Sequence, residues 1–337
     1  MKQYYRPIAQ FDPVRPEGAL PLAGGWCWFD AVEVLDRAGG RARIAAGDLP
    51  QPVRARLTEP RSEIAGLGMD SPRVMGILNL TPDSFSDGGL YKDLAPALSH
   101  AQEMIAAGAD VLDLGGESTR PGAQDVPVAE EIARTAPTII ALRAAGARVA
   151  LSIDTRKSAV ARAALSAGAE IVNDVAAMEF DPGMTGVVAS AGAAICLMHA
   201  QGDPQTMQAA PAYDDVLLDV YDYLEARVAE AEAAGIARAR ILVDPGIGFG
   251  KTVAHNLALL RGLSLFHGLG CAILLGVSRK RFIGALAGVE VARERMPGTL
   301  AVTLAGVAQG AQIHRVHDVA EVVQGLRLWE AIRKGAA

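Results

Sequence analysis

The stretch AGAEIVNDV, residues 167–175, contains the unit that decides the fold of this chain. It joins the end of an alanine-rich amphipathic segment to a short apolar run, and the polar pair Asn173 and Asp174 follows that run directly. A glycine just past a helix end takes a left-handed backbone conformation without a steric penalty, which suits Gly168. The stretch therefore predicts a helix that ends at Gly168, a buried strand, and polar side chains at the carboxyl end of that strand.

The same succession of features recurs along the chain from residue 73. Ala-Gly-Ala also precedes an apolar run at Gly108, Gly146 and Gly192. The apolar, β-branched-rich runs are predicted to be strands, at 74–78, 111–114, 149–153, 170–172, 194–198, 241–243, 272–275 and 313–316. The amphipathic segments between them are predicted to be helices, among them 95–107, 129–145, 158–167, 213–234, 254–263, 299–309 and 319–332. This alternation is typical of parallel βαβ units.

Eight strands, each followed by a helix, predict an α/β fold of the (β/α)₈ TIM-barrel type over residues 71–337, since such barrels have about 250 residues. A doubly wound open sheet is the structural alternative. No G-x-G-x-x-G follows the first strand, which argues against a dinucleotide-binding sheet. Residues 1–70 break the rhythm and are rich in Pro, Gly and Arg, so they are predicted to form an N-terminal extension with short strands, one of them near residues 26–29.

Composition excludes several classes of partner. The chain of 337 residues has a net charge of −6, which gives no electrostatic case for nucleic acid or an acidic membrane. The three cysteines, Cys27, Cys196 and Cys271, are far apart and odd in number, so we expect buried free thiols and a cytoplasmic protein. No apolar run approaches the ~18 residues of a membrane span. The run at residues 19–29 is broken by glycines, so we expect no secretory signal.

The stretch DPGIGFGKT, residues 244–252, is similar to a phosphate-binding loop. The strict pattern G-x-x-x-x-G-K-[ST] needs its first glycine where this chain has Pro245, which has no N–H to donate. We therefore expect Asp244 to be the useful residue, as a hydrogen-bond acceptor at a strand end. The glycines are expected to let a ligand lie close to the backbone, and Lys251 is expected to be a surface or helix-cap residue.

Polar residues follow all eight predicted strands, at the end where a barrel of this type builds its active site. Asp154, Asn173 and Asp244 stand directly at strand ends, and their carboxylates and amide suit a neutral heterocycle with several N–H donors and a carbonyl. A single polar residue at a strand end usually caps the next helix, and this reading fits Asp174 and Asp318.

Lys280, Arg315 and His317 come from the last two strands, where barrels often bind phosphate, and lysine and arginine supply charge-assisted hydrogen bonds to anions. A metal ion is expected to be Mg²⁺ shared with substrate phosphates, with Asn79 as its protein ligand and Asp83 and Asp87 of the following acidic loop as the alternative. Clustered His and Cys ligands for zinc and a G-x-S-x-G motif are both absent from the sequence. The sequence leaves two roles for His199, that of a site residue and that of a buried structural histidine.

With these residues laid out, the sequence resembles the dihydropteroate synthase family of folate biosynthesis. The matching stretches are MGILNLTPDSFSDGG, DLGGESTRPGA, SIDTRK, IVNDV, CLMHAQG, DPGIGFGKT, GVSRKRFIG and RVHDV. They occur in the order of the family and cover residues 74 to about 330.

The resemblance implies a barrel enzyme that joins 6-hydroxymethyl-7,8-dihydropterin diphosphate to para-aminobenzoate, releases diphosphate, uses Mg²⁺ at Asn79 and forms a homodimer. It implies a reaction in which the C–O bond ionises first. The implied pterin-binding residues are Asp154, Asn173, Met198, Asp244, Phe249 and Lys280. The implied diphosphate-binding residues are Asn79, Arg315 and His317. The implied para-aminobenzoate-binding residues are Phe85, Thr119, Arg120, Pro121 and Ser278. The implied catalytic residues are Asn79, Asp154, Lys280, Arg315 and His317.

Two departures and two alternatives accompany the resemblance. Residues 1–70 are extra relative to the common family length. Sulfonamide-resistant relatives carry an insertion next to the position of Phe85, and this chain has none. We therefore expect competitive inhibition by sulfonamides. A pterin methyltransferase module that acts with a corrinoid partner and a non-catalytic pterin-binding paralogue are the alternatives. Replacement of Arg315 by alanine is expected to cause a large loss of binding of the diphosphate substrate with little loss of fold stability.

Overall fold

The structure is a computed structural model that describes residues 2–81, 94–118, 125–202 and 211–335. The strands in the described residues are β1 (Gln3–Pro7), β2 (Leu20–Pro21), β3 (Trp28–Phe29), β4 (Ala31–Asp36), β5 (Arg41–Ala45), β6 (Arg73–Asn79), β7 (Val111–Gly115), β8 (Ala150–Asp154), β9 (Ile171–Asp174), β10 (Ala194–Met198), β11 (Ile241–Asp244), β12 (Ala272–Leu275) and β13 (Ile313–Val316). The α-helices are α1 (Gln51–Thr58), α2 (Leu94–Ala107), α3 (Val128–Ala144), α4 (Ser158–Ala167), α5 (Met184–Ala191), α6 (Val216–Ala233), α7 (Val253–Arg261), α8 (Arg281–Ala287), α9 (Met296–Val307) and α10 (Val319–Lys334). Short 3₁₀ helices cover Ala46–Asp48, Arg238–Arg240, Leu263–Leu269 and Ala292–Arg295.

Strands β6 to β13 form a closed barrel in which all neighbours are parallel. The last strand pairs with the first, with Ile313 opposite Arg73 and Val316 opposite Gly76. This closure confirms the predicted (β/α)₈ barrel and excludes the doubly wound open sheet. Each of the eight predicted strands is present with bounds shifted by at most two residues at either end.

Glycine ends the helices as the repeated Ala-Gly-Ala motif predicts. Gly108, Gly146, Gly168 and Gly192 have φ values of 106°, 84°, 112° and 61°, all in the left-handed region. The bounds of the short helices α5 and α8 were not predicted, although the motif at Gly192 indicates the end of α5, because eight and seven residues are too few for a clear helical period.

The floor of the barrel, at the amino ends of its strands, is closed by apolar side chains from the segment before β6. Ile64 and Met69 are 1 % and 2 % exposed and belong to one hydrophobic cluster with strand residues. The strand residues of that cluster are Met75, Val111, Ala150, Ile171, Ala194, Cys196, Leu242, Ala272, Leu274 and Ile313. Because these residues lie mostly at or near the strand starts, Ile64 and Met69 plug the end of the barrel opposite the predicted site.

The first 58 residues form an antiparallel sheet of order β1–β4–β5, the hairpin β2–β3 and helix α1. The strand predicted near residues 26–29 is confirmed as β3. Trp26 Nε1 donates to the carbonyl of Val307 at 2.8 Å, and Ser264 Oγ donates to the carbonyl of Pro7 at 2.7 Å. The extension thus shares a core with the outer face of the barrel, and the division of the chain at residue 70 stays a prediction.

The three cysteines are free and buried, as predicted. Among the helices of the described residues, none combines the length and the apolarity that crossing a bilayer requires.

Candidate active site

The carboxyl ends of the barrel strands bring the predicted polar residues to one level. Strand register places Gly115 of β7 opposite Asn79 on one side and opposite Asp154 on the other. Asp154 in turn lies opposite Asn173, and Met198 lies opposite Asp244. These predicted residues therefore line adjacent positions around the mouth of the barrel.

A charged network occupies the centre of this mouth. Arg315 Nε donates to Asp113 Oδ2 at 2.6 Å, and its Nη2 donates to Asp154 Oδ2 at 2.6 Å. The Asn173 side-chain amide donates to the same oxygen of Asp113 at 3.0 Å. Arg315 lies on the last strand and belongs to the predicted diphosphate subsite. Its contact with Asp154 joins that subsite to the predicted pterin subsite.

The same network offers hydrogen-bond acceptors to a ligand. Oδ1 of Asp113 and Oδ1 of Asp154 are buried and have no hydrogen-bond partner within the described residues. A buried polar atom without a partner is unfavourable, so such atoms in a native site point to a ligand or solvent that completes them. Two carboxylate oxygens at the mouth therefore suit a ligand with N–H donors, such as a heterocycle.

Asp244 and Lys280 face each other across the neighbouring wall of the mouth. Asp244 Oδ1 accepts the N–H of Gly246 at 2.7 Å. Burial raises the pKa of the Asp244 carboxyl, and the Lys280 ammonium works in the opposite direction. Burial likewise raises the pKa of the Asp154 carboxyl, opposed by Arg315. The site thus holds carboxylates in a poorly solvated setting, where their interaction with a ligand is strong.

Lys280 precedes α8, and its ammonium lies among predicted pterin residues. Nζ donates to the carbonyl of Ile247 and is 4.2 Å from the ring centroid of Phe249, within the range of a cation–π contact. Burial lowers the pKa of Lys280 to about 8, and the Asp244 carboxylate partly offsets this shift. Phe249, Lys280 and Asp244 are therefore brought together as the sequence predicts.

The glycine-rich loop after β11 packs directly against the end of β10. Gly246, Gly248 and Gly250 have φ values of +66°, +85° and +60°. A Cβ at Gly246 would lie 1.8 Å from the carbonyl oxygen of His199, and one at Gly250 would lie 2.4 Å from that of Gln201. The glycines therefore serve close approach between two loops of the chain.

The prediction that Lys251 is a surface or cap residue was wrong. Lys251 is 3 % exposed, and its Nζ lies 2.9 Å from His199 Nδ1. Three left-handed glycines at alternate positions, Gly246, Gly248 and Gly250, turn the loop so that the lysine side chain enters the protein. The cap of α7 is instead the Thr252 hydroxyl, which accepts the N–H of His255. His199 is a buried structural histidine in contact with Lys251, which resolves its two alternatives.

The last two strands meet at Ser278 and His317. Ser278 Oγ lies 2.9 Å from His317 Nδ1 and accepts the His317 N–H at 3.1 Å. Asp318 stands at the N-cap position of α10 as predicted, but its carboxylate makes an ion pair with Arg279 and no capping hydrogen bond. Asp174 does cap backbone N–H groups, those of Ala176 and Met178, although they belong to a turn.

Several predicted residues lie outside the described residues: Phe85, Thr119, Arg120 and Pro121, together with the acidic pair Asp83 and Asp87. The described residues contain no group of three or more His, Cys, Asp or Glu that could hold a metal ion. Asn79 supplies an amide oxygen, a kind of ligand that fits Mg²⁺ carried mainly by substrate phosphates and water and not a dedicated metal cage.

Asp113 was missed by the sequence reasoning. It lies within β7 and not after it, and it is fully buried. An acidic residue inside an apolar strand is a signal in itself, because aspartate is seldom buried without a partner. The partner, Arg315, is 202 residues away, so the sequence could flag Asp113 but could not pair it.

Comparison with known proteins identifies the family of this chain. Residues 75–317 match the family model described as pterin binding enzyme. The Escherichia coli (strain K12) dihydropteroate synthase is 48 % identical over 265 residues, which cover 79 % of this chain and 93 % of the relative.

Two solved structures are similar in fold and sequence. The Yersinia pestis dihydropteroate synthase, solved with a sulfonamide drug, is 46 % identical with a TM-score of 0.75, over 80 % of this chain and 96 % of the other. The Xanthomonas albilineans dihydropteroate synthase, solved with 4-aminobenzoic acid, is 47 % identical with a TM-score of 0.76, over 82 % and 99 % of the two chains. The matches confirm the resemblance stated from the motifs: the chain belongs to the dihydropteroate synthase family of pterin-binding enzymes.

Proposed function

We propose that this chain is a dihydropteroate synthase, which condenses 6-hydroxymethyl-7,8-dihydropterin diphosphate with para-aminobenzoate to give 7,8-dihydropteroate and diphosphate. The observation that carries the proposal is the network of Asp113, Asp154 and Arg315, in which two buried carboxylate oxygens have no hydrogen-bond partner within the described residues. A pterin ring has the N–H donors that these oxygens lack. Family membership supplies the reaction.

The pterin pocket is assigned to six residues by chemistry and position. Carboxylates and an amide suit the donor-rich edge of the ring, and an aromatic ring and a thioether suit its faces. The assigned residues are Asp154, Asn173, Met198, Asp244, Phe249 and Lys280.

The reaction breaks the C–O bond between the pterin methylene and the diphosphate. The electron pair leaves with the diphosphate, and positive charge develops on the pterin. The carboxylates of Asp154 and Asp244 stabilise that charge, and their burial strengthens the effect because the local dielectric is low. The amine of para-aminobenzoate then forms the new C–N bond. The resulting arylammonium is strongly acidic and gives its proton to the released diphosphate or to water, so no strong general base is required.

The departing diphosphate is assigned to the side of the mouth built by the last two strands. Arg315 and His317 offer N–H donors there, and Asn79 faces the same space from β6. Mg²⁺, held through the Asn79 oxygen and substrate phosphates, would supply Lewis-acid stabilisation of the leaving diphosphate. Ser278, which touches His317, is placed beside para-aminobenzoate together with Phe85, Thr119, Arg120 and Pro121.

The assembly and the compartment follow the family resemblance. We propose a homodimer, which would cover exposed apolar side chains at Leu286, Leu328 and Ile332, of which 59 %, 61 % and 81 % is exposed. Light scattering on the purified protein tests this state. The three free, buried cysteines support a cytoplasmic location.

The decisive experiment measures diphosphate release by the purified protein with dihydropterin diphosphate and Mg²⁺, with and without para-aminobenzoate. Release that depends on para-aminobenzoate, with formation of dihydropteroate, establishes the synthase. Pterin binding without release would reject it in favour of the non-catalytic paralogue, and methyl transfer to a corrinoid would favour the methyltransferase module.

Inhibition by sulfonamides gives an independent check. A sulfonamide resembles para-aminobenzoate, so we expect competitive inhibition against para-aminobenzoate, with no change in the maximal rate. Steady-state kinetics at several concentrations of both compounds measure this. Turnover that is unaffected by a millimolar sulfonamide would contradict the assignment of this subsite.

A further inference from the structure

Lys251 closes the glycine-rich loop, and its ammonium is buried beneath that loop. The residue is 3 % exposed. The next residue, Thr252, caps α7 in a capping box with His255, which fixes the backbone on one side of the lysine. Gly250 packs against Gln201 on the other side. The side chain of Lys251 therefore enters the protein from a fixed point.

The Lys251 ammonium contacts three acceptors from two loops. Its Nζ donates to the carbonyl of Phe249 at 2.9 Å and to the carbonyl of His199 at 3.2 Å, and it lies 2.9 Å from His199 Nδ1. An ammonium has three N–H donors, which matches this number of acceptors. Phe249 is one wall of the assigned pterin pocket, and His199 directly follows Met198, another wall.

His199 is held as an acceptor in this arrangement. Burial lowers its pKa to about 3, and the Lys251 charge acts in the same direction, so the imidazole is neutral. Its ring stacks edge-on against Tyr223, with 4.8 Å between ring centroids, and lies 5.9 Å from the ring of Tyr213. The ring is therefore fixed by packing, and Nδ1 accepts from Lys251 when Nε2 carries the proton.

Ion pairing does not account for this buried lysine. No carboxylate in the described part of the chain lies within ion-pair distance of its Nζ, and all three of its partners are neutral. Burial lowers the pKa of Lys251 well below its usual value, and Lys280 adds to the effect. A buried amine without an acidic partner is unfavourable for stability, so its role must lie in what it holds.

We propose that Lys251 is a positioning residue for the pterin pocket: its ammonium ties the backbone of Phe249 to that of His199 and so fixes the two walls that contact the pterin ring. This inference rests on the proposed function. The Phe249 ring contacts Lys280, which donates to Ile247 on the other side of the loop. Two lysines thus hold the glycine-rich loop from opposite sides, one inside the pocket and one behind it.

The test compares the wild type with Lys251→Met, which keeps the length of the side chain and removes its donors. Titration calorimetry measures the dissociation constants of 6-hydroxymethylpterin, which lacks the diphosphate, and of inorganic diphosphate with Mg²⁺. We expect the pterin to bind on the order of tenfold more weakly, because small displacements of a positioning group have large effects. Diphosphate binding is expected to stay within about twofold, because its assigned residues do not contact Lys251.

Lys334→Met is the matched control, because the side chain of Lys334 is 55 % exposed and lies outside the site. It is expected to leave both dissociation constants unchanged. A uniform loss of stability would weaken both ligands in Lys251→Met, whereas a positioning role weakens the pterin alone.

His199→Leu serves as a second variant if Lys251→Met does not fold, because it removes one of the three contacts of Lys251. It is expected to weaken binding of the pterin by about threefold and to leave diphosphate binding unchanged. Unchanged pterin binding in a folded variant, or equal loss for both ligands, overturns the inference. Turnover of the wild type is measured alongside. A wild type that makes no dihydropteroate rejects the proposed function, whereas an active wild type with an unaffected Lys251→Met rejects the positioning role alone.

Discussion

The mouth and the floor of the barrel are built from opposite kinds of side chain. The mouth buries Asp113, Asp154 and Arg315 in one network, whereas the floor is filled by Ile64, Met69 and apolar strand residues. Removing charges from water is unfavourable unless they are well paired, while removing apolar surface from water stabilises the fold. The polar mouth therefore serves the chemistry and the apolar floor serves stability. Burial of apolar surface at the floor offsets the free energy lost by burying charges at the mouth.

The largest expected effect comes from Arg315→Ala at the mouth. We expect kcat/KM to fall by about 10²–10³-fold, because a charge that stabilises the leaving group is lost. The sequence predicted little loss of stability in this variant. The structure predicts a larger loss, because Asp113 and Asp154 would stay buried without their partner. Breaking a buried pair in this way destabilises a protein by about 3–5 kcal/mol. Urea unfolding and steady-state kinetics measure the two effects.

A double variant separates these effects. Arg315→Ala combined with Asp113→Asn removes one of the unpaired charges, so it is expected to recover part of the stability and none of the activity. Retained turnover in either variant would refute the assignment of Arg315.

At the floor, Ile64→Ala should lower stability and leave activity nearly unchanged. It leaves a cavity at the bottom of the barrel, so we expect the free energy of unfolding to fall by about 2–4 kcal/mol. The kcat of the folded protein should change by less than about twofold, because the floor is remote from the assigned substrates. Val14→Ala, at a valine that is 78 % exposed, is the control. A large drop in kcat with unchanged stability would break the separation of the two ends.

A smaller effect is expected from pH at the mouth. Burial lowers the pKa of Lys280 to about 8, so the ammonium is charged below that pH and loses its proton above it. We expect kcat/KM to fall about tenfold per pH unit above pH 8, since this constant reports the free enzyme. Lys280→Arg stays charged, and its profile should lack this descending limb. A wild-type profile that is flat to pH 9.5 would contradict the role of Lys280.

The smallest effect is expected where the extension meets α6. Asp222 accepts from Lys2 at 2.5 Å and from Tyr4 at 2.7 Å and pairs with Arg37, yet its side chain is 31 % exposed. Asp222→Asn should cost less than about 1 kcal/mol, and added salt should shrink the difference further. Glu330→Gln is the control, because Glu330 is a helical partner of Lys334 and its side chain is 30 % exposed, about as much as that of Asp222. A loss of several kcal/mol would show that ion pairs, and not the shared apolar core, hold the extension.

Many residues of the mouth could be predicted because they stand at the ends of strands that the sequence shows. Asp154, Asn173 and Asp244 follow apolar runs directly, so their level around the barrel follows from strand position alone. Lys251 could not be predicted, because its direction depends on three left-handed glycines and on the loop that they pack against. The ion pair of Asp318 was missed for a similar reason: its partner Arg279 comes from another loop of the barrel.

The sequence by itself determined the alternation of eight strands and helices and the types of polar residue at the strand ends, since both depend on local periodicity and on glycine at helix ends. The tertiary structure alone decided which charges meet. Arg315 reaches Asp113 across 202 residues and Asp154 across 161, because closure of the barrel sets β13 beside β6 and so brings it near the next strands, β7 and β8. Ile64 and Met69 become a floor for the same reason, since a floor exists only once the strands have closed around it.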